Sequence, residues 1–165
     1  MVANEEDEVL LAVAENITKF RLYLKDDKFV SAFTLISNLL CAEETVVRET
    51  TVEALRTIMK SISDDLILSH IIPMIYTISS QDSFFGKVSA CYILRMVYTK
   101  AGKDKEKLRA LYFKLCDDES PLIKRAAAKE FGNLCVVMEK EVVNPDMINY
   151  FKKFMLESVF FKFNE

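Results

Sequence analysis

The sequence predicts an all-α fold in which similar pairs of helices stack along one axis. Three observations support this prediction. Apolar residues recur with a helical period in almost every segment, glycine and proline are scarce, and one pattern of side chains returns about every 38 residues. The 165 residues include only three glycines and three prolines. Because sheets and barrels need frequent turn residues, this composition argues against an all-β fold.

Apolar residues at helical spacing predict each helix in turn. Val52, Leu55 and Ile58, for example, fall on one helix face, and no stretch of the chain shows a convincing period of two. The same spacing predicts the other helices. In chain order, the predicted helical segments are 6–17, 29–40, 43–55, 70–79, 82–94, 108–116, 119–131 and 147–155.

Capping residues mark several of the predicted helix ends. A serine or asparagine followed by proline predicts a helix start, because proline lacks an N–H group that would be unpaired there in any case. Two such starts occur, at Ser120-Pro121 and at Asn144-Pro145. Asp64 or Asp65 can cap an earlier helix, and Gly102 suits the left-handed residue that closes a helix.

Three segments, 43–55, 82–94 and 119–131, align without gaps. Each opens with an acidic residue, followed by a base, then a small or β-branched residue, and then a large apolar residue. The basic residues lie 39 and then 37 residues apart. The aligned sets are Glu43, Asp82 and Glu119; Arg48, Lys87 and Lys124; Val52, Cys91 and Ala128; and Leu55, Leu94 and Phe131.

A unit of about 38 residues that contains two helices is typical of HEAT-type solenoids. One helix pair cannot bury its apolar stripe alone, so neighbouring pairs must stack. We therefore predict an all-α HEAT-repeat α-solenoid, a superhelix of antiparallel helix pairs with about three full repeats and two half repeats. The predicted boundaries are a half repeat at 4–21, repeats at about 28–60, 64–100 and 103–139, a half repeat at 145–157, and an unmatched tail at 158–165.

Each aligned position has an expected role in the stack. Small residues, including Ala128, are expected to let neighbouring helices approach closely. The acidic residue lies near a helix N-terminus, where the helix dipole favours negative charge. The basic residue is expected to pair with an acid of its own turn or the next, so that the bases form a row. Exposed pairs of this kind contribute only about 0.3–1 kcal/mol each, so we interpret them as fixing the stacking register.

Charge and hydropathy argue against two classes of partner. The chain has 22 basic and 25 acidic residues, well mixed, with a net charge of −3, whereas nucleic-acid binders usually show a basic domain or stripe. The acidic start, MVANEEDEV, differs from a secretory signal. The longest uncharged run, Leu66 to Gln81, has 16 residues, and a membrane helix needs about 20 mostly apolar ones. We expect neither nucleic acid nor a membrane as partner.

The single histidine and the cysteines offer little chemistry for catalysis. His70 lies beside two isoleucines in a predicted helix, so we expect a structural role. The four cysteines, at 41, 91, 116 and 135, form no C-x-x-C pair and are expected to be reduced structural thiols. An all-α enzyme requires a pocket with clustered titratable groups, and the sequence indicates none. We predict no enzyme activity, no cofactor and no metal, and a cytoplasmic, or also nuclear, location.

Several collinear segments resemble one known family. They are EETVVRETTVEALRTI, KVSACY and CDDESPLIKRAAAKEFGNL, with EEDEVLLAVAENI and HIIPMI in the matching order. These strings resemble the scaffold (A) subunit of protein phosphatase 2A, an all-HEAT protein. The resemblance covers about residues 4–157 and falls in the N-terminal part of that scaffold.

The resemblance implies a non-catalytic scaffold that binds the variable regulatory (B-type) subunit through the turns between the two helices of each repeat. It implies that the catalytic subunit is bound only if the C-terminal repeats are present. The positions that match the family's binding ridge are Glu43, Glu44, Asp82, Phe84, Glu119, Ser120, Pro121 and Lys124.

Two departures from the family pattern affect these expectations. The family usually has an aromatic pair after the aspartate of the middle turn, whereas here Ser83 replaces the first member and Phe84 remains. The family also has many more repeats. Because the open ends of a short array expose apolar faces, we expect self-association. A HEAT-repeat adaptor of transport or translation is the alternative function.

Overall fold

The computed structural model describes residues 5–143 and 147–162, and within this part of the chain the regular structure is entirely helical. The helix start predicted at Asn144-Pro145 lies outside the described residues. The elements are α1 Glu5–Tyr23, α2 Asp26–Phe29, α3 Ala32–Leu40, α4 Thr45–Ile58, α5 Asp64–Leu66, a π-helical turn Ile67–Ile71, α6 Ile72–Ser80, α7 Phe84–Tyr98, a 3₁₀ turn Gly102–Asp104, α8 Lys105–Cys116, α9 Pro121–Val137, α10 Lys140–Val142 and α11 Ile148–Lys162.

The helices form two layers. In one layer α1, α4, α7 and α9 lie side by side, each packed against the next. In the other layer α3, α6 and α8 each pack against the helix that comes after them in the chain, namely α4, α7 and α9. We call the helices of these pairs the first and the second helix of a repeat. This arrangement confirms the all-α HEAT-repeat solenoid, while the residue boundaries of its repeats stay a prediction.

The core runs without interruption between the two layers, from Ala14 and Ile17 of α1 to Met147 beside α11. Several buried hydroxyl groups within it are paired, whereas the Tyr76 hydroxyl is buried without a hydrogen-bond partner. Thr51 donates to the carbonyl of Val47, four residues earlier, at 2.7 Å. Ser89 of α7 donates to the carbonyl of Leu40 at 2.6 Å, which joins two repeats through a buried hydrogen bond. Satisfied polar groups of this kind make burial tolerable in an apolar core.

The predicted helix ends are partly confirmed. Pro121 is the first residue of α9 and Ser120 its N-cap, as expected. Gly102 has φ +49°, the left-handed conformation that favours glycine. The cap predicted at Asp64 or Asp65 is wrong by one residue, because the hydroxyl of Ser63 accepts the Leu66 N–H at 3.4 Å. The two aspartates lie in the first turn of the helix, where their negative charge interacts favourably with the helix dipole.

A charged network joins the end of α7, the start of α8 and the residue before α10. The Tyr98 hydroxyl donates to Glu139 at 2.7 Å and Lys105 donates to the same carboxylate at 2.8 Å. Arg109 donates to the Tyr98 oxygen at 2.8 Å. The hydrogen bonds from Lys105 and Tyr98 lower the pKa of Glu139 to about 2. The network therefore favours the ionised carboxylate in the folded state.

Replacing Glu139 with glutamine should destabilise the fold by about 1 kcal/mol at pH 7, a small effect because this carboxylate is 38% exposed and water screens its pairs. Its folded pKa of about 2 lies below the ordinary 4.5. The stabilisation is therefore complete above pH 4.5 and is lost as the pH falls towards 2. Urea denaturation at pH 7 and pH 2.5 measures this directly. A stability gap between native chain and variant that stays constant with pH would contradict the assignment.

Candidate functional site

The first turn between paired helices, residues 41–44, is held by a buried arginine. Arg48 of α4 is 7% exposed. Its guanidinium donates to the carbonyls of Ala42 at 2.7 Å and Glu43 at 2.6 Å, and to the Thr45 hydroxyl at 3.0 Å. It also lies 4.6 Å from the centre of the Phe85 ring of α7. Arg48 therefore fixes the shape of its own turn and ties that turn to the next repeat.

The second and third turns are joined by an ion pair. Lys87 of α7 donates to Asp118 at 3.1 Å, and Asp118 also accepts the backbone N–H of Ser120 at 3.0 Å. Burial alone would raise the pKa of Asp118, but the hydrogen bonds from Ser120 and Lys87 outweigh it and lower the pKa. The ionised Asp118 carboxylate therefore stabilises its own turn and also pairs with the preceding repeat.

The third turn, residues 117–120, is also bonded to α11. Asp117 accepts hydrogen bonds from Lys153 and from the Tyr150 hydroxyl, the latter at 2.7 Å. These two bonds lower the pKa of Asp117. The Tyr150 ring also stacks on Phe113 of α8, with 4.7 Å between the ring centres. α11 thus occupies the place of a first helix beside α8.

The expected pairing of bases with turns is observed with two corrections. Arg48 binds backbone carbonyls of its own turn where an acidic partner was expected. Lys87 pairs with the next turn, as expected, but through Asp118, one residue before the aligned Glu119. A long side chain on the first turn of a helix reaches whichever acceptor lies nearest, and the backbone carbonyls of a tight turn lie nearest to Arg48.

No helix of the described part of the chain packs closely on Ala128, so its expected role in helix approach stays a prediction. Val52 and Cys91, at the matching positions of α4 and α7, are 7% and 1% exposed, whereas Ala128 is exposed. The reason is the position of α9 in the array. Within residues 5–143 and 147–162, α9 is the last helix of its layer, so no further second helix covers its outer face.

The turns place the predicted site residues along one edge. Phe84 is 43% exposed, and its ring lies 4.2 Å from that of Phe85. The expectation of a single aromatic residue at the middle turn is therefore wrong, because the pair is present one residue later. Of the other predicted residues, the exposed ones are Glu43, Asp82, Glu119 and Pro121, and the half-buried ones are Glu44, Ser120 and Lys124.

Two further apolar residues on this edge were missed from the sequence. Val46 at the start of α4 is 50% exposed, and Leu122 at the start of α9 is 44% exposed. Both stand three positions after the aligned acid, but the same position of the second turn holds the half-buried Phe85, so the alignment alone does not mark them as exposed. Val46, Phe84 and Leu122 are the exposed large apolar residues of the three turns. We call the eight predicted residues with Val46 and Leu122 the turn ridge.

A cleft of about 430 Å³ lies beside the turn ridge, between α4, α7 and α9. Val52, Val88 and Tyr92 give it an apolar floor. Two of its charged residues, Arg56 and Glu53, pair with each other at 3.1 Å, and Glu130 pairs at 3.5 Å with Arg95, which does not line the cleft. The cleft lies in the layer formed by the second helices. It gives a binding partner a concave, largely apolar surface to contact.

The residues considered for chemistry make packing contacts. The His70 ring stacks on Phe33, 5.4 Å away and tilted by 9°. The cysteines are free thiols, of which Cys91 and Cys116 are buried. Burial raises the pKa of Cys116 to about 12 and that of Cys91 still further, so neither is an activated nucleophile. Over the described residues, no group of three or more metal-binding side chains is found. No helix there is both long and apolar enough to span a bilayer.

Stacked helix pairs, turns locked in register and an exposed turn edge define a HEAT-repeat solenoid. Curated relatives of the chain are named as regulatory or scaffold subunits of protein phosphatase 2A, although no family model matches it. The chain is 36% identical over 141 residues to a probable serine/threonine-protein phosphatase PP2A regulatory subunit of Caenorhabditis elegans, which covers 84% of this chain and 24% of that protein.

Two other relatives agree. The chain is 34% identical over 137 residues to the beta isoform of the human phosphatase 2A 65 kDa regulatory (A) subunit, covering 82% and 23% of the two chains. It is 32% identical over 152 residues to the phosphatase 2A scaffold subunit of Dictyostelium discoideum, covering 91% and 26%. Over most of its own length the chain is therefore related to the regulatory (A) subunits of protein phosphatase 2A, which confirms the resemblance. It spans about a quarter of the length of these relatives.

Proposed function

We propose that the chain is a non-catalytic scaffold segment of a protein phosphatase 2A-type complex that binds a regulatory (B-type) subunit through the turn ridge. The observation that carries this proposal is the locking of successive turns in register by Arg48 and Lys87, which presents their outer side chains along one edge. The kinship with phosphatase 2A relatives, described by their names as regulatory or scaffold subunits, supports the same role.

The turn ridge combines two features that suit a protein partner. Exposed apolar side chains at Val46, Phe84 and Leu122 can anchor an interface. Exposed carboxylates at Glu43 and Asp82 flank them. The matching surface would therefore carry apolar pockets bordered by basic side chains, since complementary charges favour encounter and register. Because the turns are already rigid, binding orders little additional chain.

The scaffold mechanism is geometric. A solenoid that holds a regulatory partner in one fixed place raises its effective concentration towards other bound subunits. We assign no catalytic-subunit contact to the described residues, because the resemblance places that contact in C-terminal repeats. A cytoplasmic location, extending to the nucleus, is part of the same proposal, and imaging of a fluorescent fusion would test it.

Phe84→Ser should weaken binding of a purified B-type subunit at least about tenfold, because an exposed aromatic anchor is lost at the centre of the ridge. Isothermal titration calorimetry with the 165-residue chain measures this effect. The matched control is Leu68→Ser, since Leu68 is 38% exposed but lies on the π-helical turn at the far end of its helix pair. Control binding should equal that of the native chain.

Two outcomes would reject the proposal. The first is no binding of the native chain to any B-type subunit at about 100 µM, a weak limit for a specific interface. The second is a Phe84→Ser variant that binds like the native chain while Leu68→Ser binds more weakly. Binding of a transport or translation factor in place of the phosphatase subunit would favour the alternative adaptor.

A further inference from the structure

The surface of the second helices changes its chemistry from one helix to the next around the cleft beside the turn ridge. At two successive turns of the aligned helices, the residue is acidic on α4, apolar on α7 and basic on α9. The four charged residues are exposed, whereas the apolar pair is buried or half-buried. The aligned sets are Glu49, Val88 and Arg125, and Glu53, Tyr92 and Lys129, of which all but Arg125 line the cleft.

The middle of this row is an apolar floor. Val88 and Tyr92 of α7 line the cleft together with Val52 of α4 and Leu122 of α9. Leu122 is 44% exposed and also belongs to the turn ridge, so the apolar surface continues from the ridge into the cleft. A concave apolar surface with a few polar groups at its border is the usual form of a ligand site. The floor therefore suits a large apolar side chain of a ligand.

The α4 wall of the cleft carries two carboxylates. Glu49 and Glu53 stand one turn apart on the same exposed face. Glu53 pairs with Arg56 at 3.1 Å, whereas Glu49 takes part in no ion pair among the described residues. Arg48 is the next residue to Glu49, but its guanidinium donates to two backbone carbonyls of its own turn. Glu49 is therefore the carboxylate of this wall that a basic ligand group can bind.

The α9 wall carries a positive charge at the border of the floor. The Lys129 ammonium lies 5.5 Å from the centre of the Tyr92 ring. A contact with a ring face holds the ammonium in place but leaves N–H donors for an acceptor, because a lysine ammonium has three of them. The carboxylate of the next residue, Glu130, pairs with Arg95 at 3.5 Å. Lys129 can therefore bind an acidic ligand group while it keeps its contact with Tyr92.

The size of the cleft favours an extended segment over a helix. One helical turn with its side chains is a cylinder about 10–12 Å wide and about 5.4 Å long, which is about 500 Å³, whereas the cleft has about 430 Å³. Neighbouring packed helices lie about 8–10 Å apart, and an extended chain covers about 10 Å in three residues. A segment that crosses α4, α7 and α9 would therefore meet a new helix at every third residue.

We propose that the cleft binds an extended segment of a partner protein in which a basic, a large apolar and an acidic residue follow one another at intervals of three. The basic residue binds Glu49, the apolar residue covers Val88 and Tyr92, and the acidic residue binds Lys129. Complementary charges at the two walls determine which end of the segment lies on α4. This site is additional to the proposed function, because it requires no B-type subunit.

Fluorescence anisotropy with a dye-labelled peptide tests the proposal. The probe is Ser-Lys-Ser-Ser-Phe-Ser-Ser-Glu-Ser, blocked at both ends, and the 165-residue chain is titrated into it. The native chain should bind this probe with a Kd of about 100 µM or lower. Glu49→Lys should weaken binding at least about tenfold, because two like charges then face each other. A second probe with glutamate in place of lysine should recover most of that loss on the Glu49→Lys variant.

Glu15→Lys is the matched control, because it makes the same charge change at an exposed position of α1, outside the cleft. This variant should bind the first probe like the native chain, and circular dichroism checks that both variants are folded. A native chain that binds no probe at about 1 mM would overturn the proposal. So would equal weakening by Glu49→Lys and Glu15→Lys, or a second probe that recovers nothing. Self-association that is lost in Glu49→Lys would assign the cleft to a second copy and would also overturn it.

Discussion

Gly86→Ala is expected to lower the free energy of unfolding by about 2–3 kcal/mol, the range for overpacking a dense core. The added Cβ would lie 2.5 Å from the Ile78 carbonyl oxygen and 2.9 Å from the Cys41 sulfur. The carbonyl belongs to a helix backbone and cannot move without shifting α6. Alanine is the better helix former by about 1 kcal/mol, but a clash with backbone outweighs that gain.

Gly132→Ala provides the matched control within the same protein. Gly132 lies inside α9, and, apart from the adjacent residues and the backbone of its own helix, no heavy atom lies within 4 Å of the Cβ that alanine would add. Helix propensity then acts alone, so this variant should be more stable than the native chain by about 0.5–1 kcal/mol. Urea denaturation of both variants measures the contrast. If Gly86→Ala were also stabilising, the close approach of α7 to α6 would be wrong.

The same glycine affects the turn ridge. Gly86 lies two residues after Phe84, and a Cβ added to it would lie 2.9 Å from the Cys41 sulfur; the Cys41 thiol donates to Gln81 in the neighbouring turn at 3.3 Å. Displacing the start of α7 would therefore move two turns at once. Gly86→Ala should weaken partner binding as well as stability, whereas Gly132→Ala should leave binding unchanged. The ridge thus depends on how closely helices pack beneath it.

The fold could be predicted from sequence because each repeat buries apolar residues at the same spacing. Val52 and Cys91 are buried at one aligned position, and Leu55 and Leu94 at another. These are local patterns, and stacking extends them from pair to pair. The all-helical solenoid can therefore be inferred from a short alignment within the chain itself.

Features that depend on neighbouring repeats could not be predicted in this way. The stacking of Arg48 on Phe85 and the pairing of Lys87 with Asp118 join residues of different repeats, and their geometry depends on how the repeats are rotated. The exposure of Ala128 could not be predicted either, because it depends on whether a further second helix packs against α9. The π-helical turn at Ile67–Ile71 likewise has no signal in the spacing of apolar residues.

The candidate site shows the same division. Acidic and aromatic residues at the turns are visible in the sequence, so the exposed Glu43, Asp82 and Phe84 were found. Val46 and Leu122 were missed because a valine or leucine at helical spacing is usually assigned to the core. Only the structure shows that Val46 and Leu122 are exposed, whereas the next residues, Val47 and Ile123, are buried.

Arg48→Leu should destabilise the fold by about 3 kcal/mol, because it leaves the carbonyls of Ala42 and Glu43 without their charged donor and also removes the contact with the Phe85 ring. Lys87→Met is the comparison at the aligned position. The Lys87 side chain is 26% exposed and makes one ion pair, so its loss should cost only about 1 kcal/mol. Thermal and urea unfolding of both variants would measure the difference.

Arg48→Lys separates charge from geometry. A lysine keeps the positive charge but has a compact ammonium that cannot span two carbonyls and a hydroxyl while lying flat on an aromatic ring. We therefore expect Arg48→Lys to destabilise the fold by at least half as much as Arg48→Leu does. It should also weaken partner binding, because the first turn of the ridge would no longer be fixed. A lysine variant as stable as the native chain would mean that charge alone holds the turn. The rigid presentation that underlies the proposed scaffold function would then need another cause.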